Sequence, residues 1–462
     1  MFVKTYRSWR EMNSKIENLT NRLSAAQIIA FYYLVAVVVS TILLLLPITQ
    51  TQNAELSFID GVFISISAVT VTGLSTADVS QLLSVPGTFI FAIILQFGGI
   101  GVMAFGTILW LVSGKKIGLR ARILMTTEQN SPTFSGIVRF IRMIFFFFVM
   151  IELLGAIVFG TYFLKYFPTW QEAYLQGFFA SVSATTNAGF DITGKSLIPF
   201  AHDYFVLTLN IVLFIIGSLG FPVLMEVSQW LRHKGKMPFR FSLFTKITTV
   251  TFFILIVIGA ILIYLFEYSH FYVETTWHQS FVHSLFYSTS SRTGGMAISD
   301  VNQFSVPSIL LLCIFMFIGA SPSSAGGGIR TTTFAVMLLT IYNYAKGNRT
   351  IKIFKREIDE EDIIKSFIVF TTGMILCSVA VVILECIESA FSLTEILFEV
   401  SSAFGTVGLS LGITPELSTA GKVVIMTLMF IGKIGMFTFL FSMGGKPLKH
   451  AYHYPKERII IG

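Results

Sequence analysis

Long apolar stretches that are almost free of charge alternate along the chain with short polar segments. Eight of these stretches reach the ~20 apolar residues that a transmembrane helix needs, so the pattern predicts eight membrane spans. Two of them are long enough to hold an interruption. The predicted spans are 27–47, 79–113, 143–164, 204–225, 247–266, 306–344, 366–384 and 423–445.

The loops on one side of these spans have an unusual composition. Each of four loops contains a short apolar stretch that ends in small and hydroxyl-bearing residues, and each stretch is too short to cross a bilayer. Such a segment is typical of a re-entrant helix, whose backbone is buried in protein. The four read FIDGVFISISAVTVTGLS, YLQGFFASVSATTNAGFD, SFVHSLFYSTSSRTGGMA and LTEILFEVSSAFGTVGLS.

The four loops align on one glycine each. These glycines are Gly73, Gly189, Gly295 and Gly408. A hydroxyl residue stands six positions earlier in every loop, at Ser67, Ser183, Thr289 and Ser402. The span that follows carries a glycine in every case, at Gly98, Gly217, Gly319 and Gly432. Agreement at several positions across four loops indicates an internal fourfold repeat.

Each repeat is therefore predicted to contain an outer helix, a re-entrant pore helix, a glycine turn and an inner helix. Four such units can close around one axis, so we expect an all-α polytopic membrane protein with four pseudo-repeated helix–pore-loop–helix units around a central ion pore. The predicted parts are a cytoplasmic N-terminal segment (1–26), repeat 1 (27–113), repeat 2 (138–231), repeat 3 (245–345), repeat 4 (364–445) and a cytoplasmic C-terminal tail (446–462).

The glycine turns suggest ion coordination by the backbone. Non-helical backbone at membrane depth persists only where it is buried or lines a water-filled path. Four turns that face one axis can offer rings of carbonyl oxygens in place of a cation's hydration shell, and glycine allows the backbone angles this requires. The alternative is that the glycines serve only close helix packing. The predicted ion-selectivity filter is Thr70, Val71, Thr72, Gly73, Thr186, Asn187, Ala188, Gly189, Arg292, Thr293, Gly294, Gly295, Gly405, Thr406, Val407 and Gly408.

The third inner span contains the segment GASPSSAGGGIRTTT at 319–333. Its glycines, serines and proline give little helical tendency and much backbone freedom. We interpret it as an intramembrane gate below the rings, and we expect the third inner helix alone to carry such a break. A plain helix kink is the alternative. The predicted gate residues are Gly319, Ser321, Pro322, Ser323, Ser324, Ala325, Gly326, Gly327, Gly328 and Arg330.

Two cationic residues lie within predicted membrane segments, where an unpaired charge is costly. We expect the guanidinium of Arg292 to point away from the axis, behind its turn. Lys433 has two open interpretations. It can lie near the ion path and adjust the pore electrostatics, or it can form a buried pair with a carboxylate such as Glu152 or Glu399.

Composition and charge agree with a membrane protein. Hydrophobic residues make up 54% of the 462-residue chain and charged residues only 12%. Most of the 32 Lys and Arg residues fall on one side of the predicted topology, which places both termini in the cytoplasm. The net charge of +7 therefore reflects topology, and we expect no nucleic-acid partner. No catalytic constellation stands out, so we expect a protein that is not an enzyme and has no organic cofactor.

These repeats, together with GASPSSAGGGIRTTT, resemble the Ktr/Trk/HKT superfamily of potassium transporter membrane subunits, and are most similar to its KtrB-like members. The resemblance covers nearly the whole chain. It implies potassium bound by the backbone carbonyls of the filter residues, with sodium as a second ion. It also implies a homodimer in the bacterial cytoplasmic membrane, docked on a cytosolic ring of nucleotide-binding (ATP/ADP) regulatory subunits. The chain departs from the family at Met296, where an aromatic residue is usual, and at Lys433, where arginine is usual.

The leading hypothesis is gradient-driven, channel-like potassium uptake with sodium stimulation. A sodium or poorly selective monovalent cation transporter of the same fold is the alternative. An alternating-access transporter would favour inverted repeats, whereas these repeats all begin on the cytoplasmic side. A membrane scaffold gives no reason for four re-entrant turns.

Overall fold

The computed structural model describes residues 23–52, 56–112, 117–129, 136–233, 238–348, 350–444 and 457. Most of the predicted N-terminal segment and nearly all of the predicted tail lie outside these residues. The described chain is mainly helical. Its one named sheet is a short antiparallel hairpin of β1 (Lys352–Ile353) and β2 (Arg356–Glu357).

The first half of the chain forms two units in which a long helix is followed by a shorter one and then by a bent pair. Repeat 1 and its connection contain α1 (Ala25–Leu44), α2 (Phe58–Thr70), α3 (Val79–Leu82), α4 (Val85–Ile100), α5 (Val102–Val112) and α6 (Leu119–Glu128). Repeat 2 contains α7 (Ile137–Phe163), α8 (Trp170–Thr186), α9 (Tyr204–Ser218) and α10 (Phe221–Arg232).

The second half repeats this order. Repeat 3 contains α11 (Leu243–Glu267), α12 (Trp277–Thr289), α13 (Val306–Phe317) and α14 (Thr331–Ala345). Repeat 4 contains α15 (Glu360–Ile387), α16 (Leu393–Gly405), α17 (Thr419–Ile434) and α18 (Met436–Gly444). The fourfold order predicted from the glycine register is thus present as helices.

The outer helices α1, α7, α11 and α15 are long enough and apolar enough to cross a membrane, at 20, 27, 25 and 28 residues. Their outward surfaces expose large apolar side chains such as Phe31, Leu154 and Ile375. In a membrane protein such surfaces face lipid, which is as apolar as these side chains. Their other faces pack on the pore helices.

Glycines allow some of these helices to approach closely. A Cβ built on Gly177 of α8 would lie 2.4 Å from the backbone nitrogen of Gly160 in α7. Small residues at a helix crossing are a common way to pack helices in membranes. The pore helix of repeat 2 is thereby held directly against its outer helix.

All four inner helices are interrupted, so the expectation that only the third is broken was wrong. The pairs α4–α5, α9–α10 and α17–α18 bend by 111°, 104° and 103°. The bends lie at Gly101, Gly220 and Gly435, whose φ angles are 101°, 91° and 84°. Glycine adopts these angles at little cost, so one residue suffices for a sharp turn. The third interruption is longer and separates α13 from α14.

The first and fourth repeats are joined by an ion pair. The Nζ atom of Lys422, in the first turn of α17, lies 2.8 Å from a carboxylate oxygen of Asp60 at the start of α2. Both side chains are largely shielded, with 12% and 22% of their surface exposed. This ion pair ties repeat 4 to repeat 1.

Candidate functional site

The structure brings the four predicted glycine turns together in a closed cycle. Each glycine faces the carbonyl oxygen of the residue just before the glycine of another repeat. The cycle follows from where a Cβ on each glycine would lie: 2.7 Å from Ala188 O for Gly73, 3.4 Å from Gly294 O for Gly189, 2.0 Å from Val407 O for Gly295 and 2.2 Å from Thr72 O for Gly408. A side chain at any of these positions would therefore enter the space between the turns.

The backbone of three turns has the same unusual shape. Val71, Asn187 and Thr406 have φ angles of 56°, 55° and 50°, in the left-handed region that residues with a side chain rarely occupy. Each stands two positions before the glycine of its turn and follows the last residue of a pore helix. Such strain persists only where the surroundings hold it in place, and it is often found at functional sites.

The third turn is built differently. The helix α12 continues into a π-helical segment, Ser290–Gly294, before the backbone reaches Gly295 with a φ of 69°. A π-helical turn accommodates one additional residue and is frequent at functional sites. Repeat 3 is therefore one residue out of register with the other three at the end of its pore helix.

Hydroxyl groups support the turns from behind. Ser67 Oγ and Ser402 Oγ each accept a hydrogen bond of 3.0 Å from the backbone N–H of Gly73 and Gly408. In repeat 2, Ser183 Oγ donates to the carbonyl oxygen of Phe190 at 2.5 Å.

The equivalent residue in repeat 3 is Ser290, whose Oγ donates to the carbonyl oxygen of Met296 at 2.7 Å. The sequence register had placed Thr289 there, but Thr289 Oγ1 donates within its own helix to Leu285 O. Ser290 stands five positions before Gly295, whereas the serines of the other repeats stand six positions before their glycines. The change of helix type at Ser290–Gly294 coincides with this shift.

The ring is an environment that suits a cation. The last residues of the pore helices stand at the turns, so the partial negative charge of the helix ends is directed there. The turn residues Thr72, Asn187, Val407 and Thr406 are fully buried. Carbonyl oxygens in such a ring can replace a hydration shell.

Arg292, the one charged residue among the predicted filter positions, extends away from the cycle of glycines. Its Nη2 donates to the carbonyl oxygen of Gly319 at 2.7 Å. Its guanidinium carbon lies 5.0 Å from the ring centre of Phe252 on the outer helix α11, within range of a cation–π contact. The side chain therefore connects the turn with the start of the third interruption.

The glycines repeated in the inner helices lie against the turns. In three repeats a Cβ on this glycine would meet the carbonyl oxygen that stands four residues before the turn glycine. These contacts join Gly98 to Val69 O at 2.5 Å, Gly217 to Thr185 O at 2.3 Å and Gly432 to Phe404 O at 2.0 Å. In repeat 3, Gly319 instead meets Gly327 O at 2.1 Å. The second repeated glycine thus lets three inner helices touch a pore loop, and in repeat 3 it lets the interrupting segment pack closely on itself.

The segment that interrupts the third inner helix is non-helical from Ile318 to Arg330, and we call it the intramembrane loop. The predicted 319–333 extended too far, because Thr331–Ala345 is helical. The loop is anchored to repeat 2 by its backbone. Ser321 N donates to Ser218 O at 3.1 Å, Ala325 N donates to Gly217 O at 3.1 Å, and Phe221 N donates to Ser323 O at 2.8 Å.

Further contacts hold the loop to repeat 4 and to itself. Gly328 N donates to Gly432 O at 3.3 Å, and Gly327 N donates to Thr406 Oγ1 at 2.7 Å. Arg330 donates to the carbonyl oxygen of Gly326. Several backbone atoms of the loop are thus paired with protein atoms, as non-helical backbone at membrane depth requires.

Lys433 donates through Nζ to the carbonyl oxygen of Ala325 in the loop. The predicted alternative, a pair with Glu152 or Glu399, was wrong. Glu152 accepts from the amide of Gln96 at 2.6 Å. Glu399 accepts from Ser410 at 2.8 Å and from Thr414.

Lys433 also lines a cavity of about 100 Å³ between the loop and the breaks of the first and fourth inner helices. Arg330, Glu128, Ser324 and Tyr33 line the same cavity. Charges of both signs thus meet beside the loop.

Sequence reasoning missed Glu128 and Gln129. The Glu128 carboxylate accepts from the backbone N–H of Met103 at 3.1 Å and of Ala104 at 3.2 Å, and so caps the N-terminus of α5. Gln129 O accepts from Ser323 Oγ of the loop. No local pattern marked these residues, whereas the hinge glycines had a signal, since Gly101, Gly220 and Gly435 each follow a repeated glycine by three positions.

The sequence matches the profile of the TrkH family, described as cation transport protein, over residues 2–444. The chain belongs to this family. It is similar to Ktr system potassium uptake protein D of Bacillus subtilis (strain 168), with 51% identity over 98% of this chain and 100% of that protein. It is also similar to Ktr system potassium uptake protein B of the same organism, with 34% identity over 96% of this chain and 97% of that protein.

The chain is also similar to the potassium/sodium uptake protein NtpJ of Enterococcus hirae, with 31% identity over 96% of this chain and 99% of that protein. The fold is that of the potassium transporter TrkH from Vibrio parahaemolyticus. That crystal structure matches with a TM-score of 0.71 at 17% identity and covers 90% of this chain and 84% of that chain. The TrkH-like fold is thus shared across distant sequences.

Proposed function

We propose that this TrkH-family chain takes up potassium across the bacterial cytoplasmic membrane through a channel-like pore. The observation that carries the proposal is the closed cycle of turns, in which each glycine faces a carbonyl oxygen of another repeat. Relatives that align over almost the whole chain are named potassium uptake proteins. A ring of backbone oxygens at the ends of four pore helices fits a dehydrated monovalent cation.

In this proposal the ion is held by backbone carbonyls of the four turns. The contributing residues are those predicted from the sequence: Thr70–Gly73, Thr186–Gly189, Arg292–Gly295 and Gly405–Gly408. The side chain of Arg292 takes no part, because it is bound behind the turn. Its positive charge is held against a carbonyl oxygen and an aromatic ring, away from the permeating ion.

The intramembrane loop acts as the gate. Its contacts with two turns and with the inner helices of repeats 2 and 4 support a position in the path below the ring. Lys433 supports the closed position through Ala325 O. A lysine in this place can make one compact donor contact, whereas arginine would offer a planar fork.

Gating is controlled from the cytoplasm. We assign to the chain a homodimeric state, both termini in the cytoplasm, and a cytosolic ring of ATP- or ADP-binding regulatory subunits as its partner. The basic cytoplasmic connections favour the orientation, and the family resemblance motivates the partner. Size-exclusion chromatography with light scattering tests the dimer, and potassium flux with and without the regulatory ring and nucleotide tests the control.

The central test is flux in liposomes that contain the purified chain. We expect potassium uptake that exceeds sodium uptake, and rescue of a potassium-uptake-deficient bacterium. Gly73→Ser should reduce the discrimination, because a Cβ on Gly73 would lie 2.7 Å from Ala188 O. Equal uptake of both ions by the unmodified chain and the variant would refute potassium selectivity.

A second candidate is a sodium-stimulated, symporter-like or poorly selective cation transporter of the same fold. The observation that favours it is the relative named a potassium/sodium uptake protein. Potassium flux measured with and without an inward sodium gradient separates the candidates. Flux that follows the sodium gradient supports coupling, and flux that is indifferent to it supports a potassium channel-like pore.

A further inference from the structure

Three consecutive glycines of the intramembrane loop lie directly against the turns of repeats 3 and 4. A Cβ on Gly326 would meet Thr293 Cγ2 at 2.1 Å, and one on Gly327 would meet Thr406 Oγ1 at 2.6 Å. A Cβ on Gly328 would lie 3.1 Å from the Cα atom of Gly405. The three glycines therefore allow the backbone of the loop to pack directly against these two turns.

One of these contacts is a hydrogen bond. Gly327 N–H donates to Thr406 Oγ1 at 2.7 Å, and the side chain of Thr406 is fully buried. Thr406 stands two residues before Gly408, in the left-handed conformation shared by three of the turns. The loop is thus bonded to the same strained residue that shapes the turn of repeat 4.

At the equivalent position, two residues before the turn glycine, the other three repeats offer no such bond within the described chain. Val71 has no polar side-chain atom, and the amide atoms of Asn187 are buried without a hydrogen-bond partner. Thr293 touches the loop through its methyl group, and its Oγ1 has no partner among the described residues. This asymmetry goes with the asymmetry of the described fold, in which repeat 3 contributes the loop and the loop packs against repeats 2 and 4.

Movement of the loop must break this bond. A buried N–H or hydroxyl that loses its partner away from water carries a free-energy cost, so the bond favours the closed position. Any coupling between loop position and the turn is also reciprocal. If displacement of the loop alters the turn, then an ion bound at the turn alters the displacement of the loop.

We infer that Thr406 is a positioning residue that couples the intramembrane loop to the ion-binding turn of repeat 4. Its hydroxyl holds the loop closed, and ion occupancy of the turn strengthens that hold. The inference rests on the proposed function, because it assigns ion binding to the turns and gating to the loop.

The test compares Thr406→Val with Thr406→Ser. Valine keeps the shape of threonine and removes the acceptor, and repeat 1 already carries a valine in the same conformation at Val71. Serine keeps the acceptor. In liposomes without a regulatory partner, we expect Thr406→Val to raise basal potassium flux about fivefold, the ratio that corresponds to one net hydrogen bond. Thr406→Ser should show a lower basal flux than Thr406→Val.

Thr248→Val is the matched control, at a residue of the outer helix α11 that belongs neither to the turns nor to the loop. Thr248 is fully buried, and the change removes a hydroxyl that has no partner in the described chain. Its flux should stay at the unmodified level. A folding defect would lower flux, whereas loss of a closing contact raises it, so the sign separates the two causes.

A second measurement does not depend on transport. Ser324 lies in the loop and lines the cavity beside it, so Ser324→Cys reports loop exposure by its rate of maleimide labelling once Cys377 and Cys386 are replaced by alanine. Labelling should be faster with Thr406→Val than with Thr406→Ser. Potassium should slow it in the serine variant and have little effect in the valine variant.

The outcomes separate this inference from the proposed function. No potassium flux from the unmodified chain would refute the function. Selective flux in the unmodified chain, with equal flux and labelling in the valine and serine variants, would refute only the coupling. A fall in flux for Thr406→Val at unchanged yield and size-exclusion profile would also overturn it.

Discussion

The carbonyl oxygen of Val407 lies 2.0 Å from the position that a Cβ on Gly295 would occupy. Two turns from different repeats therefore approach as closely as backbone allows. Gly295→Ala must displace one of them, and Gly295 also has a φ of 69°, which a side chain disfavours. We expect this variant to fold but to lose the preference for potassium over sodium, as measured by competitive flux in liposomes.

Gly412→Ala is the matched control. It introduces a side chain at a positive φ angle but brings no Cβ into a neighbouring turn. Gly412 has a φ of 96°, and no described heavy atom lies within 4 Å of its Cβ position. It should carry a similar conformational cost of about 1–2 kcal/mol and leave the ion preference intact. A loss of preference in both variants would show that general destabilisation, rather than the approach to Val407, is responsible.

The hinge glycines provide a second matched pair. Gly220 and Gly435 have similar φ angles of 91° and 84°. A Cβ on Gly220 would lie 2.5 Å from the carbonyl oxygen of Pro322 in the loop, whereas one on Gly435 meets no described atom within 4 Å. Gly220→Ala should therefore push on the loop and raise basal flux, while Gly435→Ala should lower only the melting temperature. Equal basal flux in the two variants would contradict this role of the loop.

The fourfold repeat could be predicted because glycine leaves a local signature. Gly73 and Gly408 must be glycine in this geometry, and their spacing from Ser67 and Ser402 follows from a hydrogen bond within one loop. The single-residue shift in repeat 3 escaped detection, because a π-helical turn changes the register without changing the type of residue. Thr289 and Ser290 both carry hydroxyls, so composition alone could not distinguish them.

The contacts of the loop could not be predicted in the same way. Lys433 and Ala325 are far apart in sequence, as are Ser323 and Gln129. Such pairs depend on how the units close around the axis. The breaks at Gly101, Gly220 and Gly435 were also missed. Each of these glycines follows a repeated glycine by three positions, but the apolar run around it resembles a continuous helix.

Glu152 gives a prediction about stability. This carboxyl in α7 is only 6% exposed, and Gln96 Nε2 lies 2.6 Å from both of its oxygens. No described cation pairs with it, and a charge without a partner is costly inside a membrane protein. Glu152→Gln should therefore keep or raise the melting temperature in detergent. Glu152→Ala should lose about 1–3 kcal/mol, since it leaves the Gln96 amide without its partner.

A drop in melting temperature for Glu152→Gln as large as that for Glu152→Ala would mean that the negative charge itself is needed. The packing around Gly155, one turn further along α7, supports the expected loss of stability in Glu152→Ala. A Cβ there would lie 2.2 Å from Ser181 Oγ, so this crossing is tightly packed and a lost side chain is poorly compensated.

Asp203, the residue that precedes α9 in repeat 2, predicts a dependence of stability on pH. Burial raises the pKa of this carboxyl, but hydrogen bonds from the hydroxyls of Tyr166 and Tyr162, at 2.5 and 2.7 Å, and from the backbone at the start of α9 lower the pKa overall. A lowered pKa stabilises the folded state at pH values above the unfolded pKa of about 3.9, and this stability is lost as the pH falls through the folded value.

The melting temperature of Asp203→Asn in detergent should therefore lie below that of the unmodified chain at pH 7. The difference in melting temperature between the two proteins should become smaller as the pH is lowered below about 4. Asparagine is an equally good helix cap, so the comparison isolates the charge. Tyr166→Phe removes one hydroxyl donor, so the pKa of Asp203 in the folded protein is lowered less. In this variant the stabilisation by the carboxylate should be lost at a higher pH. If the difference in melting temperature stays the same from pH 7 to a pH below the folded pKa of Asp203, the ionised carboxylate has no stabilising role.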